Sequence, residues 1–339
     1  MSTGAGALGT ALLKRALAEG APEVLDAAIE HLRNAVESTA AGDLNALAWQ
    51  SNLGAALRTR YRRTERLADL DEAIGLLRRA VAESGPADPG LAGRLGNLGL
   101  ALCDRFEQAS DQRDLVSAID ALERALLIAG PDQRVRQAGN LVNALLERYR
   151  STRHPEDLDR AVALGRGAAA NGTAATTSAD RAVALGNLAA ALYERFERHG
   201  QRADLDDALA AATTAVASTS AGHPKLAAYL STVGTLLHTR FILTGKTADL
   251  DESITSLSRA ETLSRDIRGG RALALAALGN SLLDRYRWLG AATDLDAAIT
   301  WQRAAVALTP DDSPDFATRS SNLAVSLAER SQHTSDPDN

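Results

Sequence analysis

Apolar residues recur along the chain every three or four positions, which predicts amphipathic helices. Leu53, Leu57 and Tyr61 fall on one helical face, and a second segment from Leu70 to Val81 has the same spacing. No segment alternates between apolar and polar residues with a period of two over a useful length, so the pattern predicts no strands. We therefore expect an all-α protein.

This two-helix pattern is repeated about every 45 residues. Its marker is an arginine that, in most repeats, precedes an aromatic residue and stands nine residues before an aspartate. Because one helix pair cannot bury its apolar face alone, about eight repeats predict an α-solenoid domain over residues 1–331, followed by a disordered polar tail over 332–339. The marker arginines are Arg15, Arg60, Arg105, Arg148, Arg195, Arg240, Arg285 and Arg330.

The repeated polar residues predict helix ends rather than a multiplied active site. Each aspartate is expected to be the N-cap of the second helix, and Asp69 with Glu72 matches a capping box. The aromatic residue is expected at the end of the first helix, and the arginine is expected to bond helix-end carbonyls or to pair with a nearby acid. The aspartates are Asp69, Asp114, Asp157, Asp204, Asp249 and Asp294.

A second motif, Leu-Gly-x-x-Leu, stands in the first helix at 53–57 and 98–102, and a small residue such as Ala73 follows in the second helix. This pattern resembles the tetratricopeptide repeat (TPR), which implies a right-handed superhelix of about eight helix pairs. The repeats are about eleven residues longer than the 34-residue form, and we expect the extra residues in loops such as 62–68. In length and motif they resemble the long TPR arrays that accompany CHAT peptidase domains.

The resemblance implies that the first helices line a concave groove, and it numbers the Leu-Gly pair as repeat positions seven and eight. Position five is always small, which argues against the lysine clamp that captures a C-terminal carboxylate. Position six is usually asparagine. Kinesin-light-chain-like repeats use such asparagines to hold the backbone of an extended peptide; alternatively, the amides cap or bridge neighbouring helices. These asparagines are Asn52, Asn97, Asn140 and Asn187.

Positions nine and twelve vary between repeats, as expected for specificity positions and also for neutral surface. Position thirteen is often acidic, as at Asp104, Glu147 and Glu194. The groove is therefore predicted to prefer a basic, partly hydrophobic peptide; alternatively, these acids form a solvated rim that pairs within its own helices with Arg105, Arg148 and Arg195. The varying candidate groove residues are Arg58, Leu100, Asn143, Leu146, Tyr193, His238, Asn280 and Leu283.

Composition narrows the classes of partner. A net charge of −6 and a pI near 5.6 argue against a general nucleic-acid binder and against an anionic membrane surface. The N-terminus does not resemble a signal peptide, and no uninterrupted apolar run reaches about 18 residues. These features predict a cytoplasmic protein, and the abundance of arginine and alanine suggests a bacterial genome rich in G and C.

No catalytic motif stands out. Cys103 and His238 lie three repeats apart, on the order of 30 Å at about 10 Å per repeat, which is too far for a thiol dyad. The six histidines lack metal-binding spacings, so neither a metal nor a cofactor is expected. The basic run at 58–63 and Trp288 are both expected in loops. The first is expected to be a solvated or anion-binding segment. The second is expected to be a contact point for a partner or a second copy, or to cover the next helix pair.

These patterns predict a non-catalytic scaffold that binds a peptide or protein in the groove of a TPR array. The alternative function is an enzyme or small-molecule sensor in which Tyr193 and His238 line an enclosed pocket. A third interpretation is self-association through the unpaired ends of the array.

Overall fold

The computed structural model describes residues 2–39, 43, 45–170, 177–264 and 268–335. Over these residues the chain forms fifteen helices and no strands, which confirms the predicted all-α class. The helices are α1 (Ser2–Glu19), α2 (Pro22–Ser38), α3 (Ala46–Thr64), α4 (Leu67–Glu83), α5 (Leu91–Ala109), α6 (Gln112–Ile128), α7 (Pro131–Thr152), α8 (Pro155–Ala170), α9 (Ser178–His199), α10 (Arg202–Ala217), α11 (Leu226–Thr244), α12 (Thr247–Leu263), α13 (Arg268–Leu289), α14 (Ala292–Ala307) and α15 (Phe316–Ser335).

The helices divide between two compact units. The first unit comprises Met1–Arg198 with Ser218–Pro224, and the second comprises His199–Ala217 with Lys225–Asn339. Within the first unit, α1 packs on α2, α3 on α4, α5 on α6 and α7 on α8, and the first helices α1, α3, α5 and α7 also contact one another in succession. In the second unit, α11 packs on α12 and α13 on α14, and α13 contacts both α11 and α15. The predicted repetition of helix pairs is therefore confirmed.

The last helix does not end where the predicted domain ends. Helix α15 continues to Ser335, which lies within the segment predicted to be a disordered tail, and residues 336–339 lie outside the described part of the chain. The prediction of one continuous domain over residues 1–331 stays a prediction.

The Leu-Gly motif marks the place where the two helices of a repeat approach most closely. A Cβ atom added to Gly99 of α5 would lie 2.5 Å from Leu122 Cγ of α6, and one added to Gly54 of α3 would lie 2.8 Å from Leu77 Cγ of α4. Both leucines are fully buried. Only a residue without a side chain allows these helix pairs to pack at this distance.

The connection between the helices of a pair is a tight turn. Helix α3 ends at Thr64, α4 begins at Leu67, and Glu65 adopts the left-handed conformation with φ 55°. Its N–H donates to the carbonyl of Tyr61 at 2.7 Å. The prediction that residues 62–68 form a loop is therefore wrong: only Glu65 and Arg66 lie between the helices, and in this repeat residues 62–64 and 67–68 lengthen them instead.

The two other segments predicted as loops are also helical. The basic run at 58–63 lies within α3, and Trp288 lies near the end of α13. The Trp288 ring packs edge-on against Phe241 of α11, with 5.7 Å between the ring centroids, and remains largely exposed. Both corrections have the same cause, since the left-handed turn lets each first helix continue past its marker aromatic residue.

The marker arginine and aspartate form a forked ion pair that joins the two helices of a repeat. Arg60 Nε and Nη2 donate to the two carboxylate oxygens of Asp69 at 2.7 and 2.8 Å. This fork matches the planar guanidinium to the carboxylate and raises the pKa of Arg60. The same pair forms at Arg105–Asp114, Arg148–Asp157, Arg240–Asp249 and Arg285–Asp294.

The aspartate is therefore not an N-cap, and that prediction is wrong. Asp69 is the third residue of α4, and the N-cap is Arg66, whose side chain makes no capping bond. The Asp69 carboxylate is buried and bound to Arg60, while Glu72, the other half of the predicted capping box, pairs with Arg33 of α2 at 2.8 Å. The prediction that the arginine pairs with a nearby acid is confirmed.

The same arginine also reaches the preceding repeat. Arg60 Nη1 lies 3.1 Å from Asp26 of α2, and Arg285 Nη1 lies 3.0 Å from Asp251 of α12. We call this three-residue arrangement the arginine bracket. Looser second contacts of 3.9 Å join Arg195 to Asp159, Arg240 to Asp206 and Arg330 to Asp296.

Among the helices of the described residues, one is apolar enough to cross a membrane by its length and composition. This is α11, which has a mean hydropathy of 1.2 over 18 residues, so the absence of an uninterrupted apolar run did not exclude such a helix. Of that window, 56% is buried, and α11 packs against α12 and α13. Packing within the array accounts for its composition.

The substitution Gly99→Ala should destabilise the protein by about 1–3 kcal/mol, because its Cβ would press on Leu122 and force α5 and α6 apart. Urea unfolding measures this change. The matched control is Gly75→Ala in the middle of α4, where the nearest atom is 3.9 Å away. It should stabilise by about 0.5–1 kcal/mol through helix propensity. Equal effects of the two substitutions would contradict the close-approach explanation.

Removing the arginine of a forked ion pair should be costly. Arg105→Leu leaves the carboxylate of Asp114, which is buried, without its partner, and we expect a loss of about 3 kcal/mol in the free energy of unfolding. The control is Arg113→Leu, which breaks the exposed pair with Asp111 and should leave the urea midpoint close to that of the wild type. The forked pair would have no structural role if the two variants unfolded at the same urea concentration.

Candidate functional site

The asparagines at position six lie between successive first helices. In three of them the side-chain amide donates a hydrogen bond to the first helix of the preceding repeat, so each ties two repeats together. The alternative in which the amides bridge neighbouring helices therefore describes what these amide nitrogens do. A role of the same side chains in holding a peptide stays a prediction. The bonds are Asn52 to Thr10 Oγ1 (2.9 Å), Asn97 to Ser51 Oγ (3.1 Å) and Asn187 to the Gly139 carbonyl (2.7 Å).

Asn140 is in a different environment. It is buried, and its Nδ2 is 3.5 Å from Gln137 Oε1 on the same helix. Gln137 in turn donates to the Ala92 carbonyl of α5 at 3.2 Å. A Cβ atom added to Gly96 would lie 2.3 Å from Gln137 Oε1, so the small residue at position five makes room here for a side chain of the next first helix.

The varying positions divide into accessible and buried residues. Leu146 and Leu283 are 2% and 5% exposed, so they offer a ligand little surface. Among the half-buried residues, the Tyr193 ring stacks on Phe196 at 6.1 Å, and Asn280 Oδ1 accepts a bond from Gln302 Nε2 at 3.2 Å. The half-buried candidates are Arg58, Leu100, Asn143, Tyr193, His238 and Asn280.

Most acids at position thirteen contact a basic side chain of the preceding repeat. Asp104 of α5 is buried, and its carboxylate lies 2.6 Å from Arg58 Nε and 3.3 Å from Arg62 Nη1, both of α3. The alternative in which these acids pair within their own helices with Arg105 and Arg148 is wrong, because those arginines hold the bracket aspartates.

The same arrangement recurs further along the chain. Arg150 lies 2.9 Å from Glu147 in its own helix and 2.7 Å from Glu194 of the next repeat. In the second compact unit, Asp284 accepts bonds from Arg287 at 3.1 Å and from His238 at 2.8 Å. Burial opposes ionisation of Asp284, but these two partners lower its pKa. Much of the predicted acidic character is therefore compensated within the protein.

Glu107 is the exception on this face. It lies one turn after Asp104 on α5, and it has neither a hydrogen bond nor an ion pair to the described part of the chain. Its side chain is exposed at the surface, but the surrounding protein displaces part of the water around its carboxylate. This desolvation, together with the negative charge of Asp104, raises the pKa of Glu107. Glu107 is therefore available to a cationic group.

Cys103 is a packing residue. It is buried in α5, and burial raises the pKa of its thiol to about 12, so it is not a nucleophile at neutral pH. His238, which the sequence already placed too far away for a thiol dyad, is bonded to Asp284.

Arg94 is a buried residue that the sequence analysis missed. Its Nη1 donates to Asp88 at 2.7 Å and to Ser84 Oγ at 2.9 Å, which ties the connection before α5 to that helix. Arg319 holds the start of α15 in a similar way, through Asp315 and Thr309. The shared repeat position of Arg94 and Arg319, at position three, was the available signal.

A sequence model of a known repeat family matches two segments of the chain. A model of the tetratricopeptide repeat matches residues 46–87, which include α3 and α4, and residues 181–224, which include α10 and most of α9. Over these two segments the chain consists of tetratricopeptide repeats. No curated protein sequence matches it.

The chain is similar to several solved structures. BtubC (BKLC) from P. vanneervenii is 18% identical, with 76% of this chain and 92% of that chain covered and a TM-score of 0.45. A TPR protein from Parabacteroides merdae is 11% identical, with 90% and 93% covered and a TM-score of 0.45. The S. pombe nuclear import adaptor Nro1 is 14% identical, with 85% and 98% covered and a TM-score of 0.45. With identities this low, function has to be argued from the chain itself.

The Glu107 carboxyl should titrate above its ordinary pKa of 4.5, and Asp104→Asn should lower that pKa by removing a neighbouring negative charge. NMR detection of the carboxyl carbon measures both. Because the folded-state pKa is raised, ionisation above it destabilises the protein. Glu107→Gln should therefore increase stability at pH 7, by less than about 1 kcal/mol after solvent screening, and the gain should vanish below the unfolded-state pKa. A pKa at or below 4.5 would contradict the proposed environment.

Proposed function

We propose that this TPR protein is a non-catalytic cytoplasmic scaffold whose first helices bind a peptide segment with basic and apolar side chains. The observation that carries the proposal is the unpaired Glu107 on a face where other acids are compensated by arginines. Leu100 lies seven residues before Glu107, on the same face of α5, and is half-buried. A cation next to an apolar side chain would satisfy both residues.

The asparagine ladder contributes acceptors in this proposal. The amide nitrogens of Asn52 and Asn97 are bonded to the preceding repeat. Their carbonyl oxygens accept no hydrogen bond from the described residues, and both side chains are half-buried rather than buried. An extended peptide could therefore donate its backbone N–H groups to these oxygens. Binding would then use the oxygen while the nitrogen keeps the repeats together.

The alternative, an enzyme or small-molecule sensor, has less support. The imidazole of its candidate residue His238 is engaged within the protein, by a bond to Asp284 at 2.8 Å.

Site-specific crosslinking tests the proposed face. Benzoylphenylalanine in place of Leu100 should crosslink to a partner in a lysate of the source cells, and the crosslinked peptide, identified by mass spectrometry, should be basic and partly apolar. The same group in place of Leu67, which is exposed at the start of α4, should not capture that partner.

Charge reversal provides the decisive comparison. Glu107→Arg removes no contact within the described protein, so it should leave folding intact and abolish the Leu100 crosslink. A crosslink that persists in Glu107→Arg, or that forms equally well from position 67, would count against the proposal. Alanine substitution of Asn97 or Asn187 is a poorer test, because it also removes a bond between repeats.

A further inference from the structure

A groove lies between the second helices α4 and α6, on a different surface from the first-helix face. It has a volume of about 440 Å³ and is open to solvent. Leucines of α5 form its floor, and polar and apolar residues of α4 and α6 form its walls. The lining residues used below are Leu98, Arg78, Val116, Ser117, Asp120 and Arg124.

The two flanking pairs of second helices, α2 with α4 and α6 with α8, are linked by ion pairs across the corresponding space. Arg33 of α2 lies 2.8 Å from Glu72 of α4, and Glu123 of α6 lies 2.6 Å from Arg160 of α8. These pairs use equivalent positions in successive repeats, with the charges exchanged in the second pair.

The link is missing between α4 and α6. The equivalent residues there are Arg78 and Ser117, so the arginine faces a hydroxyl instead of an acid. Ser117 Oγ donates to the Arg113 carbonyl of its own helix at 2.7 Å. Arg78 is exposed and makes no hydrogen bond or ion pair with any described residue. The nearest charge pair on the rim is loose, with Arg124 Nη1 3.7 Å from Asp120.

A second departure from the repeat pattern lies beside the first. Val116 is 57% exposed and occupies the position whose aspartate, in the arginine brackets, contacts the next repeat. Arg148 therefore lacks the second arm that Arg60 receives from Asp26. The equivalent residues in the other repeats are Asp26, Asp71, Asp159, Asp206, Asp251 and Asp296.

We propose that the α4–α6 groove binds a short peptide segment of another protein that carries a carboxylate beside an apolar side chain. The carboxylate pairs with Arg78 and takes the place of the acid that Ser117 does not supply. The apolar side chain packs on Val116 and Leu98. Arg124 on the rim is loosely paired with Asp120, so Arg78 leaves the groove with a net positive charge that favours an acidic segment, whereas the first-helix face favours a basic one.

The repeat pattern supplies a variant that closes the groove without damaging the fold. Ser117→Glu provides Arg78 with the acid that Glu72 provides to Arg33, and Val116→Asp restores the second arm of the bracket at Arg148. The double variant should therefore unfold at a temperature equal to or above that of the wild type. Arg78→Gln is an independent variant that removes the cation and breaks no contact with the described residues.

The test uses a phage-displayed library of random dodecapeptides selected on the full chain. Enriched peptides are labelled with fluorescein and titrated by fluorescence anisotropy. We expect one group of them to carry Asp or Glu beside Leu, Ile or Phe, and the peptides of this acidic group to bind the double variant and Arg78→Gln at least about tenfold more weakly. Ser258→Glu, which adds a charge to the exposed side of α12, should leave their affinity unchanged. Glu107→Arg should also leave it unchanged, which separates this groove from the first-helix face.

Several outcomes would overturn the proposal. These are the absence of any enriched acidic peptide, or equal affinity of the acidic peptides for the wild type and both groove variants. The groove would instead hold a second copy of the chain if sedimentation showed a wild-type dimer that the double variant converts to a monomer.

Discussion

The arginine bracket is the constraint on which the stacking of repeats depends. A buried carboxylate needs a partner that satisfies both oxygens, and the guanidinium fork of Arg60 does so for Asp69. The same guanidinium reaches Asp26 of the preceding repeat. One side chain therefore sets the position of the second helix of its own repeat and of the second helix before it. Recurrence of the bracket keeps the repeats in register.

The bracket acts together with two features of the helix pair. The Leu-Gly motif brings the helices close, as at Gly99 and Leu122, and a left-handed residue reverses the chain within two residues. Close packing and a short turn leave few polar groups free. The asparagine amides and most acids at position thirteen bind neighbouring repeats, as Asn97 does to Ser51 and Asp104 to Arg58. Recurrent polar residues on the first helices thus serve largely to hold the array together.

The sequence alone was sufficient to predict the helices, the repeat length and the residues that matter at each helix end. It did not determine the bond that each residue makes. A spacing of nine residues between Arg60 and Asp69 is compatible both with an N-cap at the second helix and with an ion pair across the turn. Tight turns at Glu65 and Ser110 were missed because their left-handed residues are not glycines. The partner of Asp104 is an arginine in the preceding repeat, which the spacing within one helix does not reveal.

In a repeat protein each repeat is a control for the others, which changes how candidate sites should be identified. A residue that recurs at one position, such as Asn97, has a structural explanation wherever the same contact with the preceding repeat recurs. A residue that departs from its position gives up a contact that its neighbours keep, and stacking does not account for it. Ser117 and Val116 depart side by side, next to an arginine left without an acid. Coincident departures around one groove are therefore a stronger indication of recognition than the recurrent asparagines.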